Sequence, residues 1–213
     1  MNVKNSELRR RARETLGGNI FGKQWMMALA VAFVIMLLVS LASALPSGAG
    51  SLILTGPLMF GLYLTYIHAV RTKEEITFNF AFEGFKNFGQ TLLLGLMQAI
   101  FISLWSLLFV IPGLIKAYSY SMAYFIMADH PEYTWKEAIT ESRVMMKGNK
   151  WKLFCLDLSF IGWAIVGFLC LGVGILWVYP YQYTARAEFY NELVGNVAAE
   201  EPTEEAPAAD DYN

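Results

Sequence analysis

The sequence has little of what soluble enzymes and small secreted domains depend on. Charged residues make up only 16% of its 213 positions, whereas soluble globular domains carry about 25%. The two cysteines, Cys155 and Cys170, lie in one apolar stretch, so no disulfide framework is implied. No group of Cys and His residues has the spacing of a metal site. The sequence therefore predicts no catalytic, cofactor-binding or metal-binding residues, and we expect that the protein is not an enzyme.

Apolar residues are correspondingly abundant. They account for 56% of the chain and fall in long uncharged blocks rather than at amphipathic spacing. Thr91 to Ile111, for example, is 21 residues without a charge. A helix of that length spans about 30 Å, the thickness of a bilayer core. Composition and pattern together predict an all-α, polytopic membrane protein.

The apolar blocks predict about six transmembrane helices, arranged as three hairpins. The predicted spans are residues 25–45, 52–70, 91–111, 114–128, 153–171 and 175–190. Residues that break or interrupt helices mark each hairpin, and they are Gly56, Pro57, Pro112, Gly113, Gly172 and Gly174. Because proline is tolerated within membrane spans, a single long kinked helix through Pro112 is the alternative for the second hairpin.

An amphipathic segment precedes each predicted hairpin, at residues 5–17, 76–88 and 134–147. The first is basic, and the third opens with the capping-box pattern of Thr134 and Glu137. In the second, phenylalanines alternate as in a strand. An isolated strand at a membrane surface would leave its backbone unpaired, so a helix is preferred. We expect three interfacial helices.

Charge is distributed unevenly along the chain. Residues 198–213 contain six acids and no base; since the formal net charge is −2, residues 1–197 carry +4. The acidic tail is rich in Ala, Glu and Pro and is predicted to be disordered, whereas residues 1–197 form a single membrane domain. Lys and Arg fall 15 to 1 on one side of the predicted spans, with Lys116 the exception. This asymmetry predicts that both termini are cytoplasmic.

Three ionisable residues within the predicted spans form a candidate intramembrane cluster: Asp157, Arg186 and His68. Asp157 lies about 7–8 Å inside the inner boundary, at a depth that the other two can reach. An unpaired carboxylate in hydrocarbon costs at least about 2.5–3.5 kcal/mol. We therefore expect Asp157 to face the bundle interior and to be satisfied by Arg186, His68 or a neighbouring hydroxyl or Tyr. Such a pair either locks helices together or belongs to a functional site.

Three stretches carry a resemblance to a known family: IPGLIKAYSYSMAYFIMAD, HPEYTWKEAITESRVMMKGNKWKLFCLDLSFIGW and YPYQYTARAEFYNEL. Over roughly residues 1–195 the chain resembles the bacterial membrane family known as domain of unknown function 975. The middle stretch is the most specific part. The resemblance implies a multi-pass protein of the bacterial inner membrane with no assigned activity, and it transfers no functional residues.

Three classes of function stay open. The first is a non-catalytic membrane module that binds a protein partner or lipid through its interfacial helices. The second is a small transporter or permease with a polar cluster in the inner half of the membrane, since broken helices and intramembrane charges are typical of transporters. The third, an intramembrane enzyme, has no paired-carboxylate or His-rich motif to support it. We expect contact with the lipid bilayer and with a membrane protein or a second copy of the chain. We expect none with nucleic acid, because a basic flank on a span is the ordinary orientation signal.

Overall fold

The computed structural model describes residues 3–44, 49–169 and 174–200, and every regular element in these ranges is a helix. The helices are α1 (Asn5–Thr15), α2 (Lys23–Ser43), α3 (Ala49–Thr72), α4 (Phe88–Leu108), α5 (Val110–Tyr120), α6 (Ala123–Asp129), α7 (Trp135–Met145), α8 (Lys150–Leu158), α9 (Ile161–Leu169) and α10 (Ile175–Glu200). Two 3-10 turns, Phe78–Phe80 and Glu83–Phe85, lie between α3 and α4. The predicted all-helical fold is confirmed over these ranges. The predicted break at Gly172 and residues 201–213 of the predicted tail lie outside them.

Three of the described helices are long and apolar enough to cross a membrane, namely α2, α3 from Gly50 onward, and α4. They overlap the first three predicted spans. The fourth and fifth predicted spans are each divided between two shorter helices, α5 with α6 and α8 with α9. Where α5 gives way to α6, the hydroxyl of Ser142 on α7 accepts from the N–H of Met122 (3.2 Å) and donates to the carbonyl of Ser119 (2.8 Å). A helix end leaves backbone groups unsatisfied, and this hydroxyl satisfies two of them.

The turn between α4 and α5 lies at Phe109 rather than at Pro112 and Gly113. Phe109 is extended, with φ −158° and ψ 142°, so α4 and α5 are not one kinked helix. Pro112 is the third residue of α5, where its missing N–H is harmless because the first turn offers no helical acceptor. Gly113 lets α5 return closely along α4, since an added Cβ would lie 2.1 Å from Oγ of Ser106.

The predicted interruption at Gly56 and Pro57 is wrong, because α3 runs through both residues without a break. Gly56 lies instead where α3 crosses α4. A Cβ on Gly56 would be 2.3 Å from the carbonyl oxygen of Thr91, and one on Gly95 would be 2.8 Å from Cα of Gly56. Small residues at a helix crossing allow two backbones to approach closely, so this glycine serves packing and not a turn.

Residues 76–88 do not form the predicted interfacial helix. They make the two 3-10 turns and run back along α3. A Cβ on Gly61 would lie 1.9 Å from the carbonyl oxygen of Ala81, and one on Gly84 would lie 2.1 Å from that of Pro57. Such direct backbone contact leaves no room for the side chains of a regular helix. As a result, α4 begins beside Pro57, about 22 Å along α3 from its C-terminal end.

The amphipathic helices α1 and α7 occupy the predicted segments, but their apolar faces pack against other helices. Leu8, Ala12 and Leu16 at α1 are fully buried, and α1 lies mainly against α10. At the start of α7 the backbone N–H of Thr134 donates to Oε2 of Glu137 (2.7 Å), and the N–H of Glu137 donates back to Oγ1 of Thr134 (3.4 Å). This is the capping box that the sequence pattern predicts.

Helix α10 contains the sixth predicted span and continues well beyond it. Ala185, Ala187 and Phe189 are fully buried, so this part of the helix belongs to the core. The helix ends at Glu200. Residues 198–200, the first three of the predicted disordered tail, are therefore helical.

Many of the large exposed apolar side chains lie in three places: the second half of α2, the turn between α4 and α5, and α9. We call these together the apolar surface. Its main members are Phe33, Leu37, Leu41, Leu107, Leu108, Phe109, Val110, Ile111, Ile161, Trp163 and Ile165.

Candidate functional site

Asp157 and Arg186 form an ion pair between α8 and α10. The guanidinium donates through Nε to Oδ1 (3.1 Å) and through Nη2 to Oδ2 (2.7 Å). This two-point geometry is the strong form of an Arg–carboxylate contact. Both side chains are largely withdrawn from the surface, with 12% of the Asp157 side chain and 23% of the Arg186 side chain exposed.

Two further donors complete the coordination of the carboxylate. Nε2 of Gln182 donates to Oδ1 (3.0 Å), and the hydroxyl of Tyr118 on α5 donates to Oδ2 (3.2 Å). Gln182 precedes Arg186 by one helical turn, so both side chains leave the same face of α10. That spacing is a sequence signal for Gln182. Tyr118 has no comparable signal, because it comes from a different helix. The cluster thus joins α5, α8 and α10.

His68 does not belong to this cluster. Its ring packs on Phe80, with the centroids 4.3 Å apart, and its Nε2 lies 4.0 Å from Oε2 of Glu74. The reason is the path of the segment after α3. This segment lies along α3 and covers the histidine, whereas an interfacial helix would have left the histidine free to face the bundle.

A cavity of about 280 Å³ opens beside Arg186. Tyrosines dominate its lining, and Gln98 of α4 contributes an amide that donates to the carbonyl of Tyr120 (3.1 Å). Tyr63 and Tyr124, both in the lining, stack with their centroids 5.2 Å apart. Phenol and amide groups around a guanidinium can hydrogen-bond a small polar molecule.

A second polar set lies at the C-terminal end of α3. Arg71 pairs with both carboxylate oxygens of Asp129, and the Nη2–Oδ2 distance is 2.7 Å. Oδ2 also accepts from the hydroxyl of Tyr190 (2.8 Å), while Nε of Arg71 donates to Asn191 (2.8 Å). These contacts tie α3, α6 and α10 together. These contacts were not predicted from the sequence. The available signal was that Arg71 and Asp129 each stand at the predicted inner end of a span.

The remaining predicted break residue within the described ranges, Gly174, allows close packing. A Cβ on Gly174 would lie 2.7 Å from Cα of Gly167, so the start of α10 rests directly on α9. Among the described residues no three His, Cys, Asp or Glu side chains come together as a metal site.

The fold and these clusters define a class: a helical protein with three helices able to cross a membrane by length and apolarity, in which the largely buried Asp157 and Arg186 pair with each other. The chain belongs to the family described as "Protein of unknown function (DUF975)", whose model matches residues 1–119 and 107–197. This match confirms the resemblance seen in the sequence. No curated protein and no solved structure gave a significant match.

Proposed function

We propose that the protein is an integral protein of the bacterial cytoplasmic membrane and acts there as a non-catalytic module that binds lipid or a membrane protein partner. The observation that carries the proposal is the apolar surface. Leu107 is 85% exposed, and Phe109, Val110 and Ile111 near it are each at least 70% exposed. Contiguous apolar patches of this kind on a soluble monomer mark interaction with a membrane or another protein.

The state of the polar cluster supports a binding role over a catalytic one. Both oxygens of Asp157 are occupied by donors from three side chains. A carboxylate held in this way is engaged by the protein's own side chains rather than presented to a substrate. We therefore assign the pair of Asp157 and Arg186 to holding α8 and α10 together.

Contacts between the two ends of the described chain support a common side for both termini. Arg11 of α1 pairs with Glu192 of α10, and the hydroxyl of Thr15 donates to Oε1 of Glu188 (3.3 Å). The same Glu188 oxygen accepts from Nζ of Lys73, just after α3 (3.3 Å). Since basic residues collect at this end, the side that fits the positive-inside rule is the cytoplasm.

A common side for both termini requires an even number of crossings, so the three candidate helices need at least one more. We propose α5 and α6 together as the fourth, because they return along α4 and end where Asp129 meets Arg71. The three-hairpin topology adds a fifth and a sixth crossing to these four, and we propose them as its more detailed form. Two observations weigh against them. Ile111 and Leu114 share a groove with Lys150 and Trp151, which that topology puts at opposite faces. The indole N–H of Trp177, near the start of α10, donates to the carbonyl of Ile20 just before α2 (3.1 Å), and the topology separates these two residues in the same way.

Cysteine labelling in whole cells with an impermeant reagent tests this topology. Cysteines introduced at Ser47 and Phe109 should react, and one at Tyr133 should not; one at Val173 should react only if the fifth and sixth crossings form. A cysteine at Lys150 decides between the alternatives. Protection there supports six crossings, and labelling there would mean that α8 begins on the outer side. Labelling at Tyr133 but not at Ser47 would invert the whole arrangement.

The binding role itself is tested by extraction and capture. The protein should stay in the membrane pellet after washing at alkaline pH. Affinity capture from detergent should then retain a defined lipid or membrane protein. Recovery in the soluble fraction would overturn the proposal.

The cavity beside Arg186 favours a second candidate, a small permease. Phenols and a guanidinium inside a bundle are groups from which transporters build a substrate site. Substrate-dependent uptake by vesicles containing the purified protein would favour this candidate over the binding module.

A further inference from the structure

A groove of about 460 Å³ lies between the α1–α2 connection and the start of α10, outside the polar cluster. Its volume is within the range of about 300–1,000 Å³ that is common for small-molecule sites. The lining is mainly aromatic and apolar. Its principal residues are Ile20, Phe21, Trp25, Trp163, Trp177 and Tyr181.

Hydrogen bonds hold the walls of this groove in place. The indole N–H of Trp25 donates to the carbonyl of Trp177 (3.3 Å), and that of Trp177 donates to the carbonyl of Ile20 (3.1 Å). The rings of Trp25 and Tyr181 lie 5.6 Å apart. With both indole N–H groups satisfied, the ring faces remain for apolar contact. Phe21 and Trp163 are more than half exposed at the rim, so the groove is open to an incoming chain.

The arginines of α1 divide into two pairs with different partners. Arg10 and Arg11 donate to Glu7, at 2.9 Å and 3.0 Å respectively. These two hydrogen bonds, that from Arg10 first, lower the pKa of Glu7 to about 2. Arg9 and Arg13 are one turn apart on the same face. Within the ranges that the structure describes, neither forms an ion pair.

Arg13 lines the groove beside Tyr181, and Arg9 contacts the same tyrosine through its backbone carbonyl. Nη2 of Arg13 lies 3.4 Å from the tyrosine hydroxyl, which in turn donates to the carbonyl of Arg9 (3.1 Å). The guanidinium of Arg13 stands 5.8 Å from the centroid of the ring. Nε of Arg9 is buried and has no hydrogen-bond partner among the described residues. A cation without a carboxylate partner among the described residues, Arg13, therefore lines an apolar groove.

We propose that this groove binds one anionic phospholipid, with an acyl chain along the tryptophans and the phosphate at Arg13. The guanidinium fork matches a phosphate, and tryptophan is the residue that proteins place at the headgroup level. Basic pockets between helices on the cytoplasmic side bind anionic headgroups in the same way. The apolar lining distinguishes this site from one for a free anion. The inference rests on the proposed membrane location, and it specifies the class of lipid that the protein binds there.

The test uses the full chain purified in detergent and titrated with dioctanoyl phosphatidylglycerol or dioctanoyl phosphatidylcholine. The shift of the thermal midpoint gives the affinity, because a ligand that binds only the folded state stabilises it. We expect phosphatidylglycerol to bind at least about fivefold more tightly than phosphatidylcholine. Arg13→Gln should weaken phosphatidylglycerol binding about fivefold, the effect of one basic residue near an anionic headgroup. Arg13→Lys should retain part of the difference.

Two control variants separate the site from general electrostatics. Arg10→Gln removes the same charge from the same helix, but Arg10 faces Glu7 and Glu14, so the affinity should change less than about twofold. Val178→Phe narrows the groove and should weaken the binding of both lipids. Folding of each variant is checked by its thermal midpoint without lipid.

Several results would overturn the inference. Equal losses in Arg10→Gln and Arg13→Gln would mean diffuse attraction rather than a site, and equal affinities for the two lipids would exclude a role of Arg13 in recognising the headgroup. Stabilisation by inorganic phosphate alone would point to a free-anion site, and a co-purifying protein segment displaced by neither lipid would point to a different occupant. All of these can occur in a protein that stays in the membrane pellet, so they leave the proposed membrane function standing.

Discussion

Helices α3 and α4 are both candidate membrane spans of similar length, yet they have opposite surroundings. Within their most apolar windows 67% of α3 is buried by other parts of the chain, against 11% of α4. The mean hydropathy of α3 is the lower of the two, 1.4 against 1.9. The more buried helix is therefore the less apolar one. In this protein hydropathy indicates which segments can cross a membrane, but not which of them forms the centre of the bundle.

Polar aromatic residues explain the difference. Tyr66 of α3 is fully buried; its hydroxyl donates to the carbonyl of Ala28 on α2 (3.0 Å), and its ring stacks on Tyr183 at 5.8 Å. Tyrosine supplies apolar area to a core and a hydroxyl that must find a partner there. Such residues lower hydropathy while marking the face that packs against protein.

The largest effect is expected at the buried ion pair between α8 and α10, which lies on the side of the bundle that α3 occupies. Asp157→Asn or Arg186→Gln should each cost about 3–5 kcal/mol, because the remaining charge is left buried without its partner. The double variant should recover part of the loss. Unfolding in detergent, analysed as a double-mutant cycle, measures the coupling.

The exposed pair of Lys86 and Glu83 is the matched control for that cycle. Its atoms are as close, at 2.7 Å, but the lysine side chain is 76% exposed. Neutralising either residue should change stability by no more than about 1 kcal/mol. Additive losses at Asp157 and Arg186 would contradict the pairing.

Two leucines of α4 sharpen the comparison within one helix. Leu94 is fully buried where α4 packs in the core, whereas Leu107 is 85% exposed. Leu94→Ala should cost about 2–5 kcal/mol in detergent, since it leaves a cavity. Leu107→Ala should cost less than about 0.5 kcal/mol. Equal costs would show that the exposed end of α4 is covered by a partner that survives purification.

Substitution of Gly61 tests the contact between α3 and the segment that covers it. Gly61→Ala should destabilise by about 1–3 kcal/mol, because its Cβ would fall 1.9 Å from the backbone oxygen of Ala81. Gly195 of α10 also lies within a helix but has nothing within 4 Å of its Cβ position. Gly195→Ala should stabilise by about 0.5–1 kcal/mol. Thermal midpoints of the two variants should therefore move in opposite directions.

The smallest effect is expected at the start of α7. Thr134→Ala removes a helix cap and should cost about 1 kcal/mol. The backbone N–H of Thr134 is the main cause that lowers the pKa of Glu137. A carboxylate whose pKa is lowered by folding stabilises the protein at pH values above its unfolded-state pKa. That stability is lost as the pH falls through the folded-state pKa. Wild type should therefore lose more stability on acidification than Glu137→Gln, as measured by midpoints at several pH values.

The sequence was most informative where one local signal suffices. Uncharged runs indicated the long helices, and the residues of the capping box are adjacent in sequence. The contact between Asp157 and Arg186 could be anticipated because a charge in an apolar block must find a partner. Residues 76–88 were misjudged because their contacts run between backbones and depend on Gly61, which is remote in sequence. The position of His68 was predicted wrongly for the same reason, because residues 76–88 cover this side chain.

The docking of α1 on α10 has a consequence for how the chain is made. Leu8, Ala12 and Leu16 are synthesised before any of their partners on α10, which lie more than 160 residues further along the chain. Contacts between such distant segments form late, whereas α3, its covering segment and α4 can pack as soon as they emerge. Until α10 arrives, α1 presents an apolar face that can rest on the membrane surface or on a chaperone. A chain that stops before α10 keeps this face exposed and should be recognised and degraded as unfinished.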